Sequence, residues 1–190
     1  SDLLSRVFDE ASALGLQVVV LPTLRESLDN KTTALDLRRL GIEDLLGRRP
    51  VALDPDRIGA LIRGKRVLVT GAGGSIGSEL AWEIALYGPS ALTLADRDEG
   101  GLLNSVMGFK KSQGELIVEP YLLDIRDKSA VQELFDACRP EVVFHAAALK
   151  HLPILETFPR EAWKTNVEGT LNVLEASVAS GVSRFVNIST

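Results

Sequence analysis

Two patterns of apolar and polar positions alternate along most of this chain. Short apolar runs bounded by turn residues recur at Lys65–Thr70 (KRVLVT), Ala91–Asp96 (ALTLAD), Leu116–Leu123 (LIVEPYLL), Glu141–Ala147 (EVVFHAA) and Arg184–Ser189 (RFVNIS). Lys65–Thr70 reads as a buried strand, and the other four runs read as further strands. Helical spacing fills the gaps. Ser75–Tyr87 carries Ile76, Leu80, Ile84 and Leu86 as apolar positions, and Gly101–Ser112 continues as a helix in spite of Gly108. Lys128–Cys138 opens on Asp127 as its N-cap, and Pro159–Ser180 reads as one long helix stopped by Gly181. Five strand–helix repeats with near-continuous apolar strands predict a parallel sheet covered on both faces. Right-handed crossovers make that an α/β, doubly wound sheet of Rossmann type, here expected to break off after its fifth strand.

Residues 1–63 follow a different rhythm. Asp2–Leu14 reads as a helix and Gln17–Leu21 as a strand, followed by short pieces at Leu35–Leu40 and Ile42–Leu46. Gly47-Arg48-Arg49-Pro50 has the character of a turn or linker. One strand and one helix bury too little surface for a core of their own. The expected division is therefore residues 1–63 as an appendage with linker, and residues 64–190 as the main domain.

Composition narrows the function classes. The chain has 190 residues, 45% of them apolar and 25% charged, with a net charge of −5. No basic footprint for nucleic acid is present. Cys138 is the single cysteine, so an intrachain disulfide is excluded, and it reads as a small buried apolar residue. The two histidines and that cysteine lack zinc-ligand spacing, so no metal is expected. No run reaches the roughly 18 apolar residues of a membrane helix. Without a signal-peptide pattern at the start, the expected location is cytoplasmic.

The candidate chemistry sits at the first strand–helix junction of the repeat. Thr70-Gly71-Ala72-Gly73-Gly74-Ser75-Ile76-Gly77 follows a strand and opens a helix, and an acid ends the next strand. Gly71 permits the tight turn, Gly74 the approach of a pyrophosphate to the backbone, and Gly77 close packing of the helix. The diphosphate then meets the positive helix start. Asp96 lies 19 residues beyond Gly77, where a carboxylate accepts from ribose hydroxyls and repels a 2′-phosphate. Arg97 beside it favours a 2′-phosphate instead. The residues leave NADP open and favour NAD. Asp124, with Ile125 after it, follows the third strand, the edge of the doubly wound sheet beside the expected adenine pocket. It is either an acceptor for the adenine amino group or a helix cap, a task Asp127 can perform alone. Ala146, Ala147 and Ala148 are small where a flat dinucleotide would pass, and His145 reads as a structural hydrogen-bonding residue.

The segments TGAGGSIG, LLDIRD, HAAALKH, KTNVEGTLNVLEA and RFVNIST, in that order and spacing, resemble extended short-chain dehydrogenase/reductases. HAAALKHLPILE resembles one branch in particular, the CapD-like polysaccharide-biosynthesis proteins, and residues 42–48 look like that branch's linker. The resemblance covers residues 35–190. It implies a nucleotide-sugar 4,6-dehydratase (a lyase), typically acting on UDP-N-acetylglucosamine. Hydride leaves sugar C4 for NAD(P)⁺, water is lost across C5–C6, and the hydride returns at C6. It also implies that residues 1–34 are the end of an upstream Rossmann-like domain, and that larger members carry membrane helices and form homo-oligomers. Thr190 matches the family's active-site threonine. Lys150 is the other catalytic candidate, reaching a substrate phosphate or the nicotinamide ribose, and Asn166 supports the site through backbone contacts or water. The Asp-Lys pair and Tyr/Met-x-x-x-Lys motif of the family have no match here, and Met107 and Lys111 read as ordinary helix residues. The chain is then expected to hold the cofactor without completing the chemistry. A 4-epimerase of the same superfamily and a non-catalytic dinucleotide sensor are the alternatives.

Overall fold

A computed structural model describes residues 54–112 and 116–188, with residues 10–11, 13–14, 19–20 and 38–39 besides. Two compact units divide at Leu53 and Asp54. In the first, β1 (Val19–Val20) pairs antiparallel with β2 (Arg38–Arg39). The expected strand at 17–21 is thus seen at its centre, and residues 10, 11 and 13 are helical. The pieces at 42–46 and the linker at 47–50 lie outside the described residues.

The second unit begins earlier than the expected boundary at residue 63. α1 (Pro55–Ile62) is capped by Asp54, whose carboxylate accepts from the N–H groups of Asp56 and Arg57, with Pro55 preset for the first turn. Ile62 is buried in the main core, with Ile58 and Leu61 packed against it. This helix belongs to the nucleotide-fold unit because its apolar face has a partner there.

The alternation then runs β3 (Arg66–Thr70), α2 (Ser75–Leu86), β4 (Ala91–Asp96), α3 (Glu99–Ser112), β5 (Val118–Leu122), α4 (Lys128–Cys138) and β6 (Val142–His145). α5 (Leu152–Thr157), α6 (Pro159–Trp163), a π-helical turn (Lys164–Gly169), α7 (Thr170–Ala179) and β7 (Arg184–Asn187) complete it. All five strands of the sheet are parallel, in the order β5-β4-β3-β6-β7. Side chains alternate between the faces of each strand. Val67, Val69, Leu92, Leu94, Val142 and Phe144 meet α1, α2 and α3 on one face. Leu68, Ala95 and Val143 meet α4 and α7 on the other. The doubly wound parallel sheet expected from the sequence is the fold observed.

Two elements depart from regular geometry. β5 is the sheet edge, as read for the third strand, with Leu122 58% exposed. Pro120 is tolerated there because one side of the strand needs no hydrogen-bonding partner. The helix expected across 159–180 widens into a π turn at Lys164–Gly169. Within that turn Gly169 is held against Ile125, where an added Cβ would come within 2.7 Å of Cδ1. Asn166 is held by the backbone of Leu149. Both contacts are tertiary and leave no mark on helical periodicity.

Candidate dinucleotide site

The order of the sheet reverses between β3 and β6, and a crevice opens beyond the carboxyl ends of the strands at that point, as doubly wound sheets require. A cavity of about 200 Å³ lies there. Its walls include Gly71, Gly73, Gly74, Asp96, Arg97, Asp124, Ile125, Ala146, Ala147 and Ala148, all candidates from the sequence. Ala95, Asp98, Leu123, Leu149 and Thr165 also line it and were not foreseen.

The glycine loop is held by sterics. Gly71 has φ +73°, and a Cβ on it would stand 2.5 Å from the Ala147 nitrogen. A Cβ on Gly77 would stand 2.0 Å from the carbonyl oxygen of Gly71, so this glycine lets α2 pack on the loop itself. Gly74 serves as N-cap of α2 without a side-chain capping bond, and no acid lies in the first turn. By contrast α1 and α4 are capped by Asp54 and Asp127. The first N–H groups of α2, at Ser75, Ile76 and Gly77, have no acceptor within the helix. These three residues border the cavity as the helix start rather than lining it. A helix start in this condition suits a diphosphate.

Asp96 is half-buried at the end of β4. Its Oδ2 accepts from the Gly73 N–H at 2.8 Å and its Oδ1 from the Asp98 N–H at 2.9 Å. The acid thereby fixes the loop as well as facing the crevice. Arg97 is engaged with Asp124, Nη1 to Oδ2 at 3.7 Å. Asp124 does not cap α4. Asp127 does, accepting from the N–H groups of Ser129 and Ala130. Burial works against the charged form of Asp124, and hydrogen bonds from Arg126 with the charges of Arg126 and Arg97 outweigh it, holding the carboxyl below the usual carboxylate range.

Thr70 is buried. A cofactor-contact candidate from the sequence, it is only 1% exposed, and its hydroxyl turns to His145. Thr70 Oγ1 lies 2.6 Å from His145 Nδ1, and His145 Nε2 lies 3.0 Å from Thr170 Oγ1. The Thr170 hydroxyl donates its one proton to the Asn166 carbonyl at 2.9 Å. Nε2 therefore carries the imidazole proton and Nδ1 accepts from Thr70. Burial pushes the pKa of His145 down to about 4. His145 is the structural histidine the sequence suggested.

Asn166 continues this chain of bonds. Its side-chain oxygen accepts from the Leu149 N–H at 2.8 Å and its amide donates to the Leu149 carbonyl at 2.9 Å. It acts on the wall of the cavity through the backbone. Lys150, exposed, places Nζ 3.2 Å from Ser75 Oγ, at the uncapped start of α2. Thr165 is 5% exposed, and its hydroxyl has no hydrogen-bonding partner. Nothing in the local sequence distinguishes it, since its burial depends on the π turn. Thr190 lies outside the described residues. Cys138 is partly buried in the core facing α4 and α7, and its pKa is pushed up to about 11 by burial, which suits the apolar role read from the sequence. Among the described residues no cluster of metal-ligating side chains occurs, and no helix is long and apolar enough to cross a membrane.

Residues 67–190 match the polysaccharide biosynthesis protein family. The chain belongs to that family. The CapD-like resemblance of HAAALKHLPILE is in keeping with it. One relative, the probable polysaccharide biosynthesis protein EpsC of Bacillus subtilis, is 40% identical over 96% of this chain and 31% of its own. A UDP-N-acetylglucosamine 4,6-dehydratase (inverting) of Campylobacter jejuni is 33% identical over 68% of this chain and 37% of its own. Among solved structures, a UDP-glucose 4-epimerase of Thermus thermophilus in complex with NAD superposes with a TM-score of 0.55 at 32% identity. That match covers 63% of this chain and 36% of the epimerase. The chain spans about a third of the length of the relatives it matches. The similar proteins thus include a nucleotide-sugar dehydratase and an epimerase.

Proposed function

We propose that residues 54–190 are the cofactor-binding part of a nucleotide-sugar 4,6-dehydratase, of the UDP-N-acetylglucosamine type, in surface polysaccharide biosynthesis. The observation that carries this reading is the uncapped start of α2 at the switch point of the sheet, with the Asp96 and Asp124 carboxylates lining the crevice beside it. In this reading the N–H groups of Ser75, Ile76 and Gly77 hold a diphosphate, Asp96 accepts from the adenosine ribose, and Asp124 with Ile125 borders the adenine. Bound there, a nicotinamide dinucleotide supplies the acceptor and later donor of hydride. Ala146, Ala147 and Ala148 leave room for it, Asn166 fixes that wall, and Lys150 offers its ammonium to a phosphate or ribose oxygen at the helix start. Thr190 is the family's active-site threonine in the same reading. Residues 1–53 close an upstream domain, and the full-length protein works as a homo-oligomer on the cytoplasmic side.

NAD is favoured over NADP. A 2′-phosphate would enter beside the carboxylates of Asp96 and Asp98, and the nearest cation, Arg97, is paired with Asp124. The epimerase reading has the support of the NAD-bound Thermus structure. Both readings use the same cofactor site and part company in the product.

Two experiments test the proposal. Calorimetric titration of this chain should give saturable heat with NAD⁺ and weaker heat with NADP⁺. No heat and no thermal shift with either removes the cofactor assignment. The full-length protein incubated with UDP-N-acetylglucosamine should give a 4-keto-6-deoxy sugar nucleotide, whereas a C4 epimer as sole product selects the second reading.

A further inference from the structure

The most densely bonded charged group beside the crevice is one that does not line it. Arg126 follows β5, and its guanidinium is laid against Asp124. Nε is 3.0 Å from Oδ1 and 2.8 Å from Oδ2, and Nη2 is 2.6 Å from Oδ2. The Arg126 N–H donates to Oδ1 as well, at 3.0 Å. The other edge of the guanidinium is fixed too, with Nη1 2.9 Å from Glu161 Oε2 on α6. The backbone beneath is pinned by Asn172, whose amide donates to the carbonyls of Ile125 and Arg126 at 3.0 and 3.3 Å. Asp124 lines the cavity and Arg126 does not. The planar fork therefore grips the carboxylate from outside the crevice and leaves it facing inward.

A carboxylate on a flexible loop samples several rotamers and, when half-buried, tends to take up a proton. A fork held at both edges removes the rotamer freedom and keeps the group an acceptor. We propose that Arg126 is a positioning residue for purine recognition: it fixes the Asp124 carboxylate as an acceptor aimed at the exocyclic amino group of the adenine, and so makes the site discriminate a 6-amino purine from a 6-oxo purine. The inference rests on the dinucleotide reading above and deepens it. A 6-oxo purine presents a carbonyl where the amino group donates, so two acceptors would face each other across the site.

The test is a matrix of binding isotherms for the full chain with NAD⁺ and with nicotinamide hypoxanthine dinucleotide. One hydrogen bond to a charged acceptor corresponds to a preference of roughly tenfold or more, which the native chain should show for NAD⁺. In Arg126→Lys and Arg126→Gln the preference should shrink to about threefold or less, with hypoxanthine dinucleotide affinity within about twofold of native. Glu161→Ala frees only the outer edge of the fork and should reduce the preference less than the Arg126 variants do. Equal losses for both dinucleotides in the Arg126 variants show a merely structural role and overturn the proposal. So does an undiminished preference. A native chain that binds both dinucleotides equally also overturns it while the cofactor reading stands. A native chain that binds neither removes both.

Discussion

Thr70 Oγ1 and His145 Nδ1 lie 2.6 Å apart across the adjacent parallel strands β3 and β6, at the paired positions where both strands end. This bond ties the start of the glycine loop to the strand whose continuation forms the opposite wall of the crevice. From His145 the bonding runs through Thr170 and Asn166 to the backbone of Leu149. The two walls of the site are thus held in register by one neutral imidazole.

That neutrality has a measurable consequence. Burial holds the folded pKa of His145 at about 4, below the 6.5 of an ordinary histidine. Between those values the unfolded chain binds the proton and the folded chain does not. Stability from this group is therefore complete above pH 6.5 and falls as the pH drops toward 4. The full window is worth about 3 kcal/mol. We predict that urea unfolding at pH 7.5 and pH 4.5 shows a drop of about 2–3 kcal/mol more in the native chain than in His145→Asn. An equal drop in both would mean that His145 is not the group that titrates.

The glycines of the loop separate folding from binding. Gly77→Ala drives a methyl group into the Gly71 carbonyl at 2.0 Å, backbone against backbone. It should cost about 2–3 kcal/mol of stability. Gly74→Ala meets only the Gly71 oxygen at 3.3 Å, from an ordinary extended backbone with φ −77° and ψ 164°. Its cost should stay below about 1 kcal/mol, while NAD⁺ affinity falls at least about tenfold because the methyl group occupies the diphosphate approach. Thermal melts and titrations of the two variants side by side check this. A Gly74→Ala protein that binds normally would place the diphosphate elsewhere.

How far the sequence goes depends on how local each constraint is. Gly71 and Gly77 were legible because a turn and a close approach demand glycine whatever the rest of the chain does. The five strands were legible because burial on both faces leaves continuous apolar runs. The third strand reads as the sheet edge beside the expected adenine pocket, and the order of the sheet places β5 there. The π turn, the burial of Thr165 and the docking of α1 depend on contacts with Ile125, Leu149 and the core, which no window of the sequence contains. Arg126 was passed over for a similar reason. Its partner Glu161 is 35 residues away, and the neighbour it grips, Asp124, already had a role of its own. Gly101 also escaped notice, although a Cβ there would stand 2.6 Å from the Gly73 oxygen, the contact that seats α3 beside the loop.

Cofactor choice should respond to Asp96. Its two oxygens accept from Gly73 and Asp98, and in the proposed site its charge would face a 2′-phosphate. Asp96→Asn removes the charge and one of the two acceptors. The expected result is a rise of about tenfold in the affinity for NADP⁺ relative to NAD⁺, with some loss of NAD⁺ affinity as the loop loosens. Competition titrations on the native and variant chains measure the ratio. An unchanged ratio would show that the discriminating group is another one, with Asp98 the next to test.

Thr165 offers the most direct check that the crevice is built to be filled. Its hydroxyl is buried without a partner, a condition that costs about 1 kcal/mol or more when nothing satisfies it. Valine has nearly the same shape and lacks the polar atom. Thr165→Val should therefore make the free chain more stable by about 1 kcal/mol, seen as a higher unfolding midpoint in urea with an unchanged slope. With saturating NAD⁺ the gain should disappear if the hydroxyl of Thr165, which lines the cavity, takes the ligand or a water beside it as its partner. A variant stabilised equally with and without NAD⁺ would make the lone hydroxyl a packing defect. A destabilised free variant would mean that a water already satisfies it.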